Sequence, residues 1–435
     1  MVPSPNTGKI PQENPITFPL CDTVMNRTGQ IPTSLRVLTG TQFGSFCLGN
    51  GLSLVGTWMQ RIACGWLIWE WTQSAFWLGV LAAGDLLPVM LIGPFAGVAA
   101  DRWDRLRQNI RAQAVSALLA LLMALLLAIG RLGLLEVIAL TTLQGTLSAA
   151  IQPARLAMVR QMVGRADLGA AVALNSVTVN LARLIGPALA GMMIVRLDII
   201  WVFAVNAAVT ALYVLILGRL SLAFPQKLSA PQPFLREMAE GFRHVVATPA
   251  LWLILLVMLL GGMIVRSMLE LMPAIAVRIY PGNAMGLALL TGSAACGAIV
   301  SGLTIRPRSA VRLLYDVMVL WGLGAGAAIL MTWATIPGLA VAAAALLGAA
   351  TTRGLISTQT FVQITTPPDL HGRILSLHGL IARGSPALGA LVIGFFADRI
   401  GIAAATLIAA AMLTFCFLLL APLIRGAAST VEETD

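Results

Sequence analysis

Charge is what this chain has least of. Of its 435 residues, 11% are Asp, Glu, Lys or Arg, whereas 58% are hydrophobic. A soluble domain carries about 25% charged residues and covers its surface with them. With less than half that supply, a soluble enzyme, a disordered regulator and a soluble nucleic-acid binder are all excluded. Histidine is nearly absent: only His244, His371 and His378 occur, and no two stand at a metal-ligand spacing on a helix. No nucleophile–base set is recognisable, so no catalytic centre and no metal or cofactor is expected. No phosphate-binding P-loop occurs either, which excludes ATP as the direct energy source. The five cysteines (Cys21, Cys47, Cys64, Cys296, Cys416) are scattered without a CxxC pair, which excludes a disulfide scaffold and a zinc site. Acids number 18 against 28 bases, yet the bases are spread thinly rather than gathered as a nucleic-acid footprint.

What the chain has in quantity is long apolar runs, with a mean hydropathy of +0.88. A helix needs about 20 apolar residues to cross a bilayer. Twelve such spans are predicted, at 42–69, 76–99, 112–130, 135–158, 171–195, 199–220, 250–273, 284–304, 313–333, 336–360, 373–397 and 401–424. Residues 1–35 are rich in Pro, Asn and Thr and read as a flexible cytoplasmic tail without a signal peptide. Six spans over 36–220 and six over 250–425 read as two bundles, with a short C-terminal tail at 426–435. Between the bundles, 221–249 begins with prolines. It then carries Phe234, Leu235, Met238, Phe242, Val245 and Val246 at helical spacing, as an amphipathic helix at the membrane surface would.

The basic residues set the orientation. With both termini cytoplasmic, nineteen of the 28 fall on inner segments and Arg131, Arg196, Arg278 and Arg399 on outer turns. Such a bias is the positive-inside rule. The halves also repeat: Gln161, Asp167 and Leu168 align with Gln363, Asp369 and Leu370, and Arg183 with Arg383, 200 positions on. Two like-oriented six-span repeats form a transporter architecture.

The second and third spans are joined by GPFAGVAADRWDRLRQ. Gly97 permits close helix approach, Asp101 can cap a helix or pair with arginine, and Arg102, Arg105 and Arg107 stand where helix meets cytoplasm. Such a cluster can latch one half to the other in one state and release it in the next. The spacing resembles the GxxxDRxxRxR loop of the major facilitator superfamily. Residues 53–81, 151–163, 174–191 and the TPALW entry at 248–252 resemble its enterobactin-exporter-like branch. The resemblance covers roughly 36–425. It implies an all-α fold of twelve transmembrane helices in two parallel six-helix pseudo-repeats. It also implies alternating access, proton-driven export and a monomer. Two departures stand out. Thr141 occupies the place before Gln144-Gly145 where such exporters carry an arginine, and Asp398-Arg399 repeats the DR pair at the opposite end of the eleventh span.

Charges inside the spans are the site candidates: Arg61, Asp85, Arg183, Arg266, Glu270, Arg353 and Arg383. Each costs about 2.5–3.5 kcal/mol if isolated at mid-bilayer. Seven together exceed a domain's usual stability of about 5–15 kcal/mol, so they must pair or face a wet cavity. In the superfamily arrangement the first, fourth, seventh and tenth spans line that cavity. Arg61, Gln60, Trp58, Gln144, Arg266 and Arg353 are thereby substrate-cavity candidates, with Arg61 holding an anionic group or anchoring a helix. Arg266 and Glu270 are four apart and share a helix face, so they are expected to pair. Asp85 and Glu270 are the proton-coupling candidates; the alternatives are a helix-packing hydrogen bond and a purely structural ion pair. Arg183, Gly186, Pro187, Gly191, Arg383 and Pro386 suggest bending and gating. Trp66, with Trp58, is a candidate to stack on an aromatic substrate; Trp69, Trp71 and Trp77 read as an interfacial belt.

The expectation is a multi-pass protein of the bacterial inner membrane. Its partners are protons, the lipid bilayer and a small amphipathic or anionic substrate such as a siderophore, drug or secondary metabolite. An uptake symporter, or a receptor or assembly factor that transports nothing, stands as the alternative.

Overall fold

The computed structural model describes residues 33–40, 42–222, 234–280, 284–367 and 370–432. Helix ends follow local chemistry. The Asp104 carboxylate caps one helix by accepting from the amides of Leu106 and Arg107 at 3.0 and 3.1 Å, and Asp198 caps another through Ile200 at 2.8 Å. Pro249, Pro273 and Pro337 open helices, where a missing N–H costs nothing. Gly401, with φ +81°, lets the chain turn sharply between the last two helices.

The elements are α1 (Thr33–Gly40), α2 (Gln42–Thr72), α3 (Ala75–Arg102), α4 (Arg105–Ala128), α5 (Leu134–Met162), α6 (Leu168–Arg196), α7 (Ile199–Gly218), α8 (Phe234–Ala247), α9 (Pro249–Ile264), α10 (Met272–Ile279), α11 (Ala284–Leu303), α12 (Ala310–Trp333), α13 (Pro337–Thr365), α14 (His371–Ile400) and α15 (Ile402–Glu432). Among the described residues, eleven helical segments are long and apolar enough to span a membrane. Outside that set, besides the short α1, α8 and α10, is the 31-residue α2, whose run is interrupted by Asn50, Ser53, Thr57, Gln60 and Arg61. The most polar spanning helix is thus the one that carries the best site candidates.

Helices α2–α7 pack on one another, as do α9–α15. The halves meet mainly along two antiparallel pairs, α3 with α14 and α6 with α11. At the end away from the basic connections small residues bring these pairs close, and α3 and α14 touch backbone to backbone. A Cβ on Gly79 would stand 2.6 Å from the Ala390 carbonyl, and one on Gly191 2.5 Å from the Ala288 methyl. Gly394 lies against the Ala75 carbonyl in the same way. Midway along α3 and α14, Gly384 lies against the Met90 thioether.

Four expectations change. The seventh span is not a continuous helix over 250–273. It breaks after Ile264 into a 3-10 turn, Arg266–Leu269, and resumes as α10. Pro273 has no amide to continue the ladder. The C-terminal tail is helical to Glu432, with Ala427 and Ala428 buried against the core. The flexible tail lies outside the described residues up to 32, and 33–40 form α1. Trp66 is buried in the core and not in the cavity. The linker helix forms as expected over Phe234–Ala247 and docks on α14. There Glu240 pairs with Arg373 at 2.6 Å, Gly241 meets the Arg373 side chain, and Phe242 and Val246 remain exposed.

Candidate functional site: a charged cavity between the halves

The polar face of α2 looks into a cavity of about 600 Å³ bounded by both halves. Its walls include Arg61, Asp85, Arg155, Arg183, Arg266, Glu270 and Arg383, so charge that is costly in lipid is gathered in one polar space. The cavity runs past Gln113, Gln152 and Arg155 toward the basic end.

Arg61 is the hub. Its Nη1 lies 3.1 Å from Asp85 Oδ2 on α3, and its Nη2 donates to Glu270 Oε2 at 2.7 Å. One guanidinium therefore holds an acid of its own half and an acid of the other half. Their side chains stay 30%, 28% and 17% accessible, because they face the cavity. Gly145 on α5 sits against the Asp85 backbone, and a larger residue would push the two helices apart.

The expected Arg266–Glu270 pair does not form. The 3-10 turn has three residues per turn, so a spacing of four no longer shares a face. Arg266 Nη1 donates instead to the Ala382 carbonyl on α14, leaving Glu270 to Arg61.

Gln60 and Gln144 join a neutral network. Gln60 Nε2 donates to Gln144 Oε1 at 2.5 Å, and Asn206 Nδ2 donates to Gln60 Oε1 at 2.6 Å. Thr210 continues it to Asn206 and to Ser53, both at 3.2 Å. Asn206 escaped the sequence reading. Its signal was its place as the lone amide, four residues before Thr210, in the mostly apolar run of Ile199–Gly218.

Trp58 lines the cavity between two guanidiniums. Arg61 Cζ lies 5.3 Å and Arg183 Cζ 5.2 Å from its ring centroid. Gly186 gives Trp58 room, since a Cβ there would stand 2.6 Å from the Trp58 Cβ. Pro187 lines the same wall, while Pro386 is buried within α14. Arg183 and Arg383 both reach the cavity. Arg353 is not among its lining residues. It sits on α13 next to Gly354, which packs on the buried Trp321 ring, and this register turns it from the cavity.

At the loop motif, the side chains of Gly97, Asp101 and Arg102 lie outside the described residues. Arg107 pairs with Asp104 at 3.4 Å, within its own loop. Of the second DR pair, Asp398 bridges the halves, while Arg399 turns back on Phe395 of its own helix. Asp398 on α14 accepts from Ser74 Oγ at 2.5 Å, Ala75 N at 2.6 Å and Phe76 N at 3.3 Å, and so caps α3 from the other half.

Two six-helix halves around a charged central cavity, sealed at one end, define a major facilitator transporter. A family model described as transmembrane secretion effector matches residues 33–432, and the chain belongs to that family. It is 28% identical over 376 residues to the uncharacterized MFS-type transporter YfiS of Bacillus subtilis, covering 83% of this chain and 88% of that one. It is 26% identical over 383 residues to the enterobactin exporter EntS of Shigella flexneri, covering 85% and 88%. Among solved structures, a bacterial homolog of the human lysosomal transporter Spinster, inward-facing and unoccupied, aligns with a TM-score of 0.68 at 15% identity. That alignment spans 93% of this chain and 99% of that one and shows the shared fold. These relatives are transporters and not enzymes.

Proposed function

We propose that this protein is a proton-coupled exporter of a small amphipathic or anionic molecule of the siderophore type, working by alternating access. The observation that carries the reading is the bridge from Arg61 to both Asp85 and Glu270. The basic end, toward which the cavity runs, is read as cytoplasmic by the positive-inside rule. Substrate enters there while the Asp398 end is closed.

Glu270 faces Arg61, with Asp85, Arg183 and Arg266 in electrostatic reach. Protonating Glu270 removes the charge that ties Arg61 to the second half, and the halves are then free to rock. Deprotonation at the inner face restores the tie and resets the carrier. The enterobactin export named for one relative supports an outward direction and a siderophore-like load.

The test uses inside-out vesicles and a panel of catecholate and carboxylate siderophores. An imposed pH gradient, acid inside, is expected to drive uptake of at least one of them. Glu270→Gln is expected to abolish gradient-driven uptake while counterflow exchange persists. Uptake indifferent to the gradient, or gradient drive that survives Glu270→Gln, overturns proton coupling. Accumulation only in right-side-out vesicles marks an uptake symporter instead.

A further inference from the structure

The cavity holds five arginines and two acids, and Arg61 engages both acids. Three of the remaining arginines converge on one region. Arg183 comes from α6 in the first half; Arg266 from the 3-10 turn and Arg383 from α14 belong to the second. Arg183 Nε is buried with no hydrogen-bond partner, and its guanidinium rests on Trp58. Arg266 reaches only the carbonyl of Ala382, the residue beside Arg383. Arg183 and Arg383 bear on Arg266 as like charges, and Glu270, itself held by Arg61, bears on Arg266 and Arg183 as the opposite charge. Three like charges on one cavity wall outnumber the single acid in their reach and repel unless a further counter-anion joins them.

We infer that Arg183, Arg266 and Arg383 form an oxyanion subsite, separate from the Arg61 triad, that seats a carboxylate-type group of the substrate. The inference rests on the reading of this cavity as the substrate path and narrows its occupant. The occupant carries an oxyanion group, because the one acid in reach of Arg183 and Arg266 is Glu270, which Arg61 already holds, and an aromatic or apolar face that lies on Trp58. Its anion touches both halves at once. Bound substrate thereby replaces, across the gap, the tie that Glu270 releases when protonated.

The purified transporter in nanodiscs of zwitterionic lipid is titrated with citrate, phthalate, benzylammonium and sodium chloride, following thermal unfolding. Citrate and phthalate are expected to raise the midpoint, phthalate through its ring as well, while benzylammonium and equal ionic strength of chloride do not. Hydrogen bonds to charged groups are worth about 1.5–3 kcal/mol, so Arg183→Gln and Arg383→Gln are each expected to weaken binding roughly tenfold or more. Arg183→Lys keeps the charge but not the fork, folds where the glutamine variant fails, and is expected to bind weakly too. Arg399→Gln, at the far end of α14, is expected to bind normally. Chloride stabilising as well as citrate, or Arg183→Lys and Arg383→Gln binding as the parent does, overturns the subsite. So does stabilisation seen only when anionic lipid is in the disc, which assigns the arginines to a headgroup. Glu270→Gln separates the two readings: phthalate binding that persists while gradient drive is lost supports the subsite and coupling together. Gradient drive with no binding of citrate or phthalate removes the subsite alone.

Discussion

Arg61 joins residues 24 and 209 positions away through one guanidinium. Removing it leaves two carboxylates facing each other with no cation between them. Breaking a buried ion pair from one side costs about 3–5 kcal/mol. Arg61→Ala is therefore expected to lower the thermal unfolding midpoint sharply. Adding Glu270→Gln to Arg61→Ala is expected to recover part of the loss, as a double-mutant cycle in detergent measures. If Arg61→Ala melts as the parent does, the ion triad contributes nothing to the fold. The expense of each in-span charge was legible from the sequence, since Asp85 and Glu270 stand out in apolar runs. The pairing was not, because it depends on how helices far apart in the chain meet. The Arg266–Glu270 expectation failed for a local reason: it assumed an unbroken helix, and the chain takes a 3-10 turn there.

At the scale of elements, the ends of helices matter more than their middles. Asp398 takes the first amides of α3, at Ala75 and Phe76, while Ser74 of the same half takes that of Trp77 at 3.4 Å, and Phe76 packs edge-on against Phe395 beside them, centroids 6.3 Å apart. Losing a cap costs about 0.5–2 kcal/mol. Charged to the sealed state alone, that is up to roughly thirtyfold in its population. Asp398→Ala is expected to raise labelling of a cysteine placed at Ser74 by a membrane-impermeant maleimide, and unchanged labelling would show that the cap does not hold this end. Within the second half, α9 and α12 meet where Gly261 lies on the buried Trp321 ring. Gly261→Ala overpacks that contact and is expected to cost about 1–3 kcal/mol. Gly322→Ala, with open space at its Cβ position, is the control and is expected to be neutral or better. The DR pair at Asp398-Arg399 was visible in the sequence. Its use as a cap across the halves was not, because capping partners come from chain segments that sequence spacing does not relate.

For the whole molecule, the all-α fold built of long apolar helices was readable, with eleven of the expected twelve spans found among the described residues. Apolar length is a strong one-dimensional signal, and the family match over 33–432 agrees with it. The cavity was readable only in outline. Which arginines share it follows from the rotation of each helix, so Arg183 and Arg383 entered it and Arg353 did not. The pairing of α3 with α14 carries a mechanical consequence. The two helices are clamped backbone to backbone at one end and cross near Gly384 on the side chain of Met90. In the proposed rocking of the halves that contact would serve as a fulcrum, and its bearing is a thioether, unbranched and with three rotatable bonds. A compliant bearing lets the lever tilt either way without stripping the core. Met90→Ile, stiff at Cβ, is expected to slow turnover in counterflow while leaving the affinity for load untouched.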